Sequence, residues 1–241
     1  MLEIKNVSKR YGDKYALQDI SLTLTAGVYG LLGPNGAGKS TLMNIITENL
    51  APDSGEVCWD GTAIKKQGAQ YRSLLGYAPQ QQGLYESFTG RRFLSYMGTL
   101  KAIPKKEMAS EIQRVASYVN CEQILDRSIG GYSGGMKQRL LIAQALLGSP
   151  RLIIMDEPTA GLDPKERVRI RERIRELSDG KIILIATHVV SDIQSIADEV
   201  LLLKAGKIMA KDTVQALCSA YGDARDLEEV YMQIFGDEGT E

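Results

Sequence analysis

The chain has 241 residues and a formal net charge of −1, from 29 basic and 30 acidic side chains. This length allows one large domain with a sizeable core. The near-neutral balance disfavours a protein that selects nucleic acid by bulk charge. The three cysteines, Cys58, Cys121 and Cys218, lie far apart and indicate neither a disulfide framework nor a zinc pair. Because His188 is the single histidine, sites built from several histidines are excluded.

The apolar runs of the chain are too short to cross a membrane. Runs such as Leu152–Met155 and Val200–Leu203 have the length of buried strands. The first residues lack the basic and then apolar pattern of a signal peptide. We therefore expect that a partner holds the chain at any membrane where it works.

The hydrophobic pattern predicts an α/β fold. Alternating residues near the start predict strands around a turn at 11–14, then a short strand over 28–32 that leads through a glycine-rich loop into a helix from Ser40. Residues 55–78 are predicted to be short strands, and 87–147 a helical subdomain. From Arg151 the pattern alternates strand, helix and strand, which indicates a mostly parallel sheet.

A complete phosphate-loop pattern, GxxxxGK[ST], follows the strand over 28–32. Its glycines let backbone N–H groups converge on phosphate oxygens, and the helix that follows adds its positive dipole end. We expect Lys39 to reach the β- and γ-phosphates and the Ser40 hydroxyl to ligate Mg²⁺. The pattern alone indicates only nucleotide phosphates, since GTPases, kinases, recombinases and transport ATPases share it. The residues are Gly33, Pro34, Asn35, Gly36, Ala37, Gly38, Lys39 and Ser40, followed by Thr41.

Two acids end the apolar strand over 152–155. Asp156 is placed to hold Mg²⁺ beside the phosphate loop, directly or through water. Glu157 follows and is placed to polarise a water for attack on the γ-phosphate. We predict that Asp156 is a metal ligand and that Glu157 is catalytic.

A second glycine motif, Tyr132-Ser133-Gly134-Gly135-Met136, precedes a predicted helix over 137–147. Ser133 is expected to cap this helix, and Gly134 and Gly135 expose backbone N–H groups. The motif therefore predicts a second anion site. Taken alone, the motif is better interpreted as a capped helix after a glycine turn.

Taken together, five stretches resemble the ATP-binding cassette (ABC) ATPase domains, and the resemblance covers nearly the whole chain. It implies a P-loop NTPase (RecA-like) core with a mostly parallel sheet, an N-terminal antiparallel β-subdomain and an inserted helical subdomain at about 87–147, within a single domain over 1–241. The stretches are the phosphate loop, Ser133-Gly134-Gly135 with Gln138-Arg139, Met155-Asp156-Glu157-Pro158-Thr159, Gly161-Leu162-Asp163-Pro164 and Thr187-His188.

The resemblance also implies roles for residues that pattern alone does not single out. Ser133, Gly134 and Gly135 resemble the signature motif, which in the family closes over ATP held by the phosphate loop of a second protomer. Tyr132 and Met136 stand where the commonest signature has leucine and glutamine, which suggests a subfamily.

Four further positions resemble functional residues of the family. Gln80 resembles the Q-loop glutamine that senses Mg²⁺ and water, although Gln81 and Gln82 follow it and leave the register open. Tyr11 resembles the aromatic residue on which adenine stacks, with an ordinary turn residue as the alternative. His188 resembles the switch histidine at the γ-phosphate. Asp163 is expected to belong to the nucleotide-binding set.

Three classes of protein compete for this set of motifs. The kinase interpretation leaves the second anion loop without a purpose. A soluble cassette acting on DNA or ribosomes is the alternative, but the chain has one phosphate loop and no coiled-coil heptads between Lys39 and Asp156. The motifs therefore favour the ATP-hydrolysing subunit of a membrane transporter, with no nucleic-acid partner expected.

The residues of these motifs and of the segment 227–231 resemble those of bacterial ABC-2-type export ATPases. The resemblance implies ATP and Mg²⁺ as ligands, an integral membrane permease as partner, and a homodimer, or a heterodimer with a paralogous cassette, on ATP binding. It implies a place at the cytoplasmic face of the cell membrane, held by the permease. Leu84, Tyr85, Phe88 and Phe93 form a candidate docking surface, and packing inside the helical subdomain is the alternative for each.

Overall fold

The computed structural model describes residues 1–80, 83–222 and 224–236. The chain forms two compact units. The first unit comprises Met1–Gly68 and Ser178–Glu241, and the second unit comprises Ala69–Leu177. No helix within the described ranges is long and apolar enough to cross a bilayer.

Strands dominate the start of the chain, helices its middle, and both alternate towards its end. The first part of the first unit contains β1 (Leu2–Tyr11), β2 (Lys14–Leu24), β3 (Gly27–Leu32), α1 (Lys39–Ile46), β4 (Ser54–Trp59), β5 (Thr62–Ala63) and α2 (Ile64–Gln67). The second unit contains α3 (Ala69–Leu74), β6 (Leu75–Ala78), α4 (Gly90–Leu100), α5 (Lys105–Tyr118), α6 (Gly134–Ala145), β7 (Leu152–Asp156) and α7 (Pro164–Glu176). The first unit then resumes with β8 (Ile182–Ala186), α8 (Val190–Gln194), β9 (Glu199–Lys204), β10 (Lys207–Asp212), α9 (Val214–Ala220) and α10 (Leu227–Phe235).

The first unit begins with an antiparallel sheet in the order β2-β1-β4-β5. Leu2 pairs with Leu24 and Ile4 with Leu22, so the predicted alternation places these four side chains on one buried face. The turn between β1 and β2 contains Gly12 at a φ of 59°, a conformation that glycine adopts without strain. The predicted N-terminal antiparallel sheet is confirmed.

A second, mixed sheet in the same unit has the order β10-β9-β3-β8. Strand β3 runs parallel to both β8 and β9, while β9 and β10 form an antiparallel pair. Strands β3, β8 and β9 are almost entirely buried, as expected of parallel strands covered on both faces. A side chain at Gly30 would overlap the Ile193 Cγ2 methyl, so α8 packs closely on β3.

The second unit combines a parallel pair of strands, β6 and β7, with four longer helices. Helices α4, α5 and α6 occupy 90–145, where the sequence predicts a helical subdomain. A Cβ atom at Gly76 of β6 would overlap the Ala145 carbonyl oxygen, so the end of α6 packs closely on this strand.

The strand prediction for residues 55–78 is wrong in its central part. Residues 64–74 form the short helices α2 and α3, separated by Gly68 at a φ of 53°. Ile64 and Tyr71 are the buried anchors of these two helices, and mainly polar residues separate them. With one apolar anchor in each short helix, the helical period does not show in the sequence.

Three side chains from α5 and the end of α4 hold the carboxyl end of α6. The ammonium group of Lys101 donates to the Leu147 carbonyl at 2.8 Å, and Arg114 Nη2 donates to the Leu146 carbonyl at 2.9 Å. The Gly148 N–H donates to Glu111 Oε1 at 2.7 Å. These bonds satisfy groups that a helix end otherwise leaves unpaired.

Burial lowers the pKa of Lys101 to about 8, against the opposing attraction of Glu111. Competitive labelling with acetic anhydride across a pH series, read by mass spectrometry, should give Lys101 a midpoint near this value. Glu111→Gln should lower the midpoint further, because it removes the attraction that favours the charged form. A Lys101 midpoint at the usual lysine value of about 10.4 would contradict the burial. Because the unfolded chain keeps this proton to higher pH, the contribution of Lys101 to the free energy of unfolding should rise above pH 8.

Candidate nucleotide site

The phosphate loop connects β3 to α1, as predicted. Gly36 and Gly38 have φ values of 80° and 113°, which turn the backbone into the first helical turn. Gly38 is the N-cap of α1 and makes no side-chain capping bond. The N–H groups of this uncapped helix start therefore face the loop, the arrangement that binds phosphate.

Backbone contacts leave no room for side chains at two loop glycines. A Cβ at Gly33 would overlap the Leu203 carbonyl oxygen, and one at Gly38 would overlap the Ala16 carbonyl oxygen. The Gly206 N–H also donates to the Ala37 carbonyl at 2.9 Å. The loop is thus held between the start of β2 and the turn that joins β9 to β10.

Lys39 lies in the first turn of α1 and folds back over the loop. Its ammonium group donates to the Gly33 carbonyl at 2.5 Å and to the Pro34 carbonyl at 3.1 Å. This places the cation beside the loop N–H groups. The Ser40 hydroxyl is exposed in the same turn. A cation and a hydroxyl thus lie in the first helical turn after the phosphate loop.

His188 and Tyr11 belong to the same unit as this loop. Leu31 of β3 pairs in parallel register with Ala186 of β8. His188 therefore follows its strand at the same edge where the phosphate loop follows β3, and its side chain is exposed. Tyr11 ends β1 with 55% of its surface exposed, in the hairpin whose second strand touches Gly38. Its exposed ring is available for stacking.

Asp156 and Glu157 end β7 in the second unit, and both side chains are buried, at 7% and 6% exposure. Burial and the charge of Asp156 raise the pKa of the Tyr77 phenol on neighbouring β6. Glu157 has a φ of 51°, a left-handed conformation that is costly for a residue other than glycine. Gln138 Nε2 and the Ala160 N–H donate to the Glu157 carbonyl at 3.4 Å and 3.1 Å, and so support this conformation.

Gln80 follows β6 at the same edge of the sheet at which the two acids lie at the end of β7. Ala78 of β6 pairs with Met155 of β7, so Gln80 and Glu157 each lie two residues beyond a paired position. The Gln80 side chain is exposed. The two other glutamines of the open register, Gln81 and Gln82, lie outside the described residues.

The second glycine motif forms the amino end of α6. The Ser133 hydroxyl accepts from the Met136 N–H at 3.3 Å, and the Ser133 N–H donates to the Met136 sulfur at 3.4 Å. The predicted cap is therefore confirmed, but the helix begins at Gly134 and not at Lys137. Because this capping pair closes the turn, both glycines lie inside the first helical turn. Open space surrounds the Gly134 Cα, which leaves this helix start accessible.

Asp163 caps α7 in the stretch after Glu157, its carboxylate accepting from the Glu166 N–H at 2.9 Å. A Cβ at Gly135 would lie 3.2 Å from Leu162, so this stretch packs against the second glycine motif. Glu166 also accepts from Arg139 Nη1 of α6 at 2.9 Å. The sequence did not indicate this ion pair, whose partners are 27 residues apart.

The structure thus brings the predicted residues together in two groups, one in each unit. The first unit holds Tyr11, the phosphate loop and His188. The second unit holds Gln80, Asp156, Glu157, Asp163 and the Ser133–Gly135 helix start. Ser40 of the first unit and Asp156 of the second unit each carry an oxygen donor of the kind that Mg²⁺ takes.

Known proteins share this combination of fold and motifs. The family described as "ABC transporter" matches residues 17–160. The linearmycin resistance ATP-binding protein of Bacillus subtilis is 35% identical over 92% of this chain and 72% of its own length. A Nod factor export ATP-binding protein of Rhizobium meliloti is 37% identical over 87% of this chain and 63% of its own length.

A solved structure shows that the similarity extends to the fold. The dimeric post-hydrolysis state of an ATP-binding cassette bound to ADP and Pi matches with a TM-score of 0.80 and 27% identity, over 88% of this chain and 98% of that chain. The resemblance read from the motifs, the predicted P-loop NTPase fold and the assignment to an ATPase are all confirmed. The chain belongs to the ABC transporter family and is one of its ATP-hydrolysing, ATP-binding subunits.

Proposed function

We propose that this chain powers export through a separate membrane permease, by ATP-driven closure of two copies of the cassette. The observation that carries the proposal is the helix start at Ser133. It is capped, exposed and glycine-lined, which supports a second anion site in addition to the phosphate loop. A protein that only bound a nucleotide at its phosphate loop would have no use for this second site.

Each ATP is proposed to contact two protomers. Residues of one protomer hold and hydrolyse the nucleotide: Tyr11, the phosphate loop with Lys39, Ser40 and Thr41, Gln80, Asp156, Glu157, Asp163 and His188. Ser133, Gly134 and Gly135 of the other protomer approach the γ-phosphate. The phosphates thus satisfy donors on both copies, so ATP stabilises the closed dimer.

The buried carboxylate of Glu157 acts on the attacking water. A carboxylate within reach of that water can accept its proton as a general base. Ser40 and Asp156 would hold Mg²⁺, which neutralises phosphate charge when bound.

The dimer is proposed to be two-fold symmetric and head to tail, because each protomer supplies one phosphate loop and one signature motif. The dimeric cassette found by comparison, with its ADP and Pi, supports this assembly. We propose a homodimer, or a heterodimer with a paralogous cassette. In either case the two units of the chain act as one cassette domain over residues 1–241, and hydrolysis reopens the dimer.

The permease is proposed to bind an aromatic cluster formed by half-buried Phe88 and the exposed residues Tyr85 and Tyr96. The Tyr85 ring stacks on Phe88 at 5.0 Å and meets the edge of Tyr96 at 5.8 Å. The Arg92 guanidinium lies 4.0 Å from the centre of the Phe88 ring. Phe93, expected to belong to this surface, is buried at 4% exposure and packs in the core instead. Exposed aromatic residues of this kind favour a protein partner, here the permease that holds the chain at the cytoplasmic face of the membrane.

The first test separates nucleotide binding from hydrolysis. Glu157→Gln keeps the size of the side chain and removes its charge, so ATP should still bind while hydrolysis falls by about a hundredfold or more. The closed dimer should then persist and be visible by light scattering with ATP and Mg²⁺. Adding Ser133→Arg should abolish that dimer, because the larger side chain blocks the facing γ-phosphate. Lys66→Ala, at an exposed position of α2, is the control and should behave as the parent.

Two outcomes would contradict this mechanism. A Glu157→Gln protein that hydrolyses ATP at the normal rate would remove the role of Glu157. A dimer that survives Ser133→Arg would remove the head-to-tail arrangement and leave simple nucleotide binding.

The second test addresses the permease. In detergent-solubilised membranes of the native organism, the tagged chain should capture one integral membrane protein, and Tyr85→Ser with Tyr96→Ser should lose it. Met232→Ser is the control, since Met232 is 62% exposed on α10 of the first unit. Equal capture by the double variant would exclude the aromatic cluster as the docking surface. Flotation of the chain with protein-free lipid vesicles would show a membrane affinity that needs no permease.

A further inference from the structure

The phenol of Tyr132 connects the signature motif to the helix that carries the aromatic cluster. Tyr132 directly precedes Ser133 and is buried at 6% exposure. Its hydroxyl donates to the Ile124 carbonyl and lies against Gly90, the first residue of α4. One oxygen atom therefore links three segments of the second unit.

Gly90 leaves room for this hydroxyl because it has no side chain. A Cβ atom at Gly90 would lie 2.5 Å from the Tyr132 oxygen, closer than any normal contact, whereas its next neighbours, Leu125 Cα and O, are at 3.4 Å. The first N–H of a helix has no partner within the helix, and the phenol oxygen occupies the place where such a partner belongs. The Tyr132 hydroxyl thus occupies space that a side chain at position 90 would fill.

Backbone hydrogen bonds reinforce the same connection. The Ile129 N–H donates to the Phe88 carbonyl at 2.9 Å, and the Gly130 N–H donates to the Glu86 carbonyl at 3.0 Å. The Ser128 hydroxyl donates to the Glu86 carbonyl at 2.8 Å. The segment that carries Tyr85 and Phe88 is therefore paired along its backbone with the segment that leads into the signature motif.

A leucine at position 132 could fill the same space but could not make these bonds. The hydroxyl adds a polar tether to a loop whose following residue, Ser133, is exposed. A displacement of the start of α4 would then carry Ser133 with it. The Tyr132 hydroxyl and the backbone pairing of the two segments both connect the residues before Ser133 to the start of α4.

We propose that the Tyr132 hydroxyl is a positioning group that fixes the signature motif relative to the start of α4, so that the two move together during closure of the dimer. This inference rests on the proposed function, because it assigns a role to Ser133 in the facing site. Tyr132 itself contacts no nucleotide in this mechanism, and it acts through Ser133.

The test uses Tyr132→Phe, which keeps the ring and removes the hydroxyl. In the Glu157→Gln background, ATP-driven dimerisation measured by analytical ultracentrifugation should weaken about tenfold, the scale of one lost hydrogen bond. Binding of a fluorescent ATP analogue to the isolated protomer should stay within about twofold, because the phosphate loop is unchanged. This split between dimerisation and nucleotide binding is not expected from a general loss of stability.

Two matched controls separate positioning from stability. Tyr118→Phe removes another hydroxyl that donates to a carbonyl, that of Arg173 at 2.5 Å, in the same unit. Gly98→Ala adds a methyl group in α4 that meets the flexible Met108 side chain. Whatever their effect on the melting temperature, both should leave dimerisation as in the parent.

A double-mutant cycle tests the geometry directly. Gly90→Ala should weaken dimerisation in the parent, because the methyl group displaces the phenol oxygen. In the Tyr132→Phe background it should add nothing further, because the close contact is absent.

The outcomes distinguish this inference from the function on which it rests. Suppose that the Glu157→Gln parent dimerises with ATP, and that adding Tyr132→Phe weakens dimerisation not at all or no more than Tyr118→Phe does. The positioning role is then wrong and the proposed function stands. Additive effects of Gly90→Ala and Tyr132→Phe would also overturn it. If the parent itself fails to dimerise with ATP, both proposals fall.

Discussion

Contacts between backbone atoms that leave no space for a side chain shape the phosphate loop, and the rest of the site depends on them. Gly33 lies against the Leu203 carbonyl and Gly38 against the Ala16 carbonyl, so parts of the chain that are distant in sequence hold the loop. Only such close packing keeps several N–H groups pointed at one anion without a side chain among them. The ammonium group of Lys39 lies beside this loop, bonded to the Gly33 and Pro34 carbonyls.

The same support reaches the end of the chain. The turn after β9 bonds to the loop through Gly206, and Lys204 in that strand donates to the Ile234 carbonyl of α10 at 2.7 Å. Leu227, at the start of α10, donates its N–H to the Gln194 side chain of α8 at 2.9 Å. The carboxyl-terminal helix is therefore a structural part of the first unit and shares elements with the phosphate loop.

The fold was predictable where burial gives a clear pattern. Strands β3, β7, β8 and β9 are apolar runs bounded by turn residues, and the glycine loop fixes the start of α1. The pattern failed at α2 and α3, where one buried residue in each short helix cannot show a period. It also placed the start of α6 three residues late, because Gly134 and Gly135 have low helix propensity but follow a capping serine.

The motifs indicated which residues to expect at the site, but they did not indicate the side chains that support those residues. Lys39, Asp156 and Glu157 stand out because their neighbours in sequence carry the motif. The partners of Tyr132, by contrast, lie 8 residues away at Ile124 and 42 away at Gly90, and no local pattern relates them. The same holds for the bonds of Lys101 and Arg114 to the end of α6. The side chains that position functional residues make contacts between parts of the chain that are distant in sequence. No local sequence pattern indicates these contacts.

The central claim is that one ATP is shared between the phosphate loop of one protomer and the Ser133 motif of another. The most direct measurement mixes two inactive proteins, Lys39→Ala and Ser133→Arg, and records the rate of ATP hydrolysis. A mixed dimer would contain one site with an intact phosphate loop and an intact signature motif. The mixture should therefore hydrolyse ATP while neither component does so alone, at no more than about half of the wild-type rate, because each mixed dimer has one intact site of two. A mixture no more active than its two components would contradict the shared site.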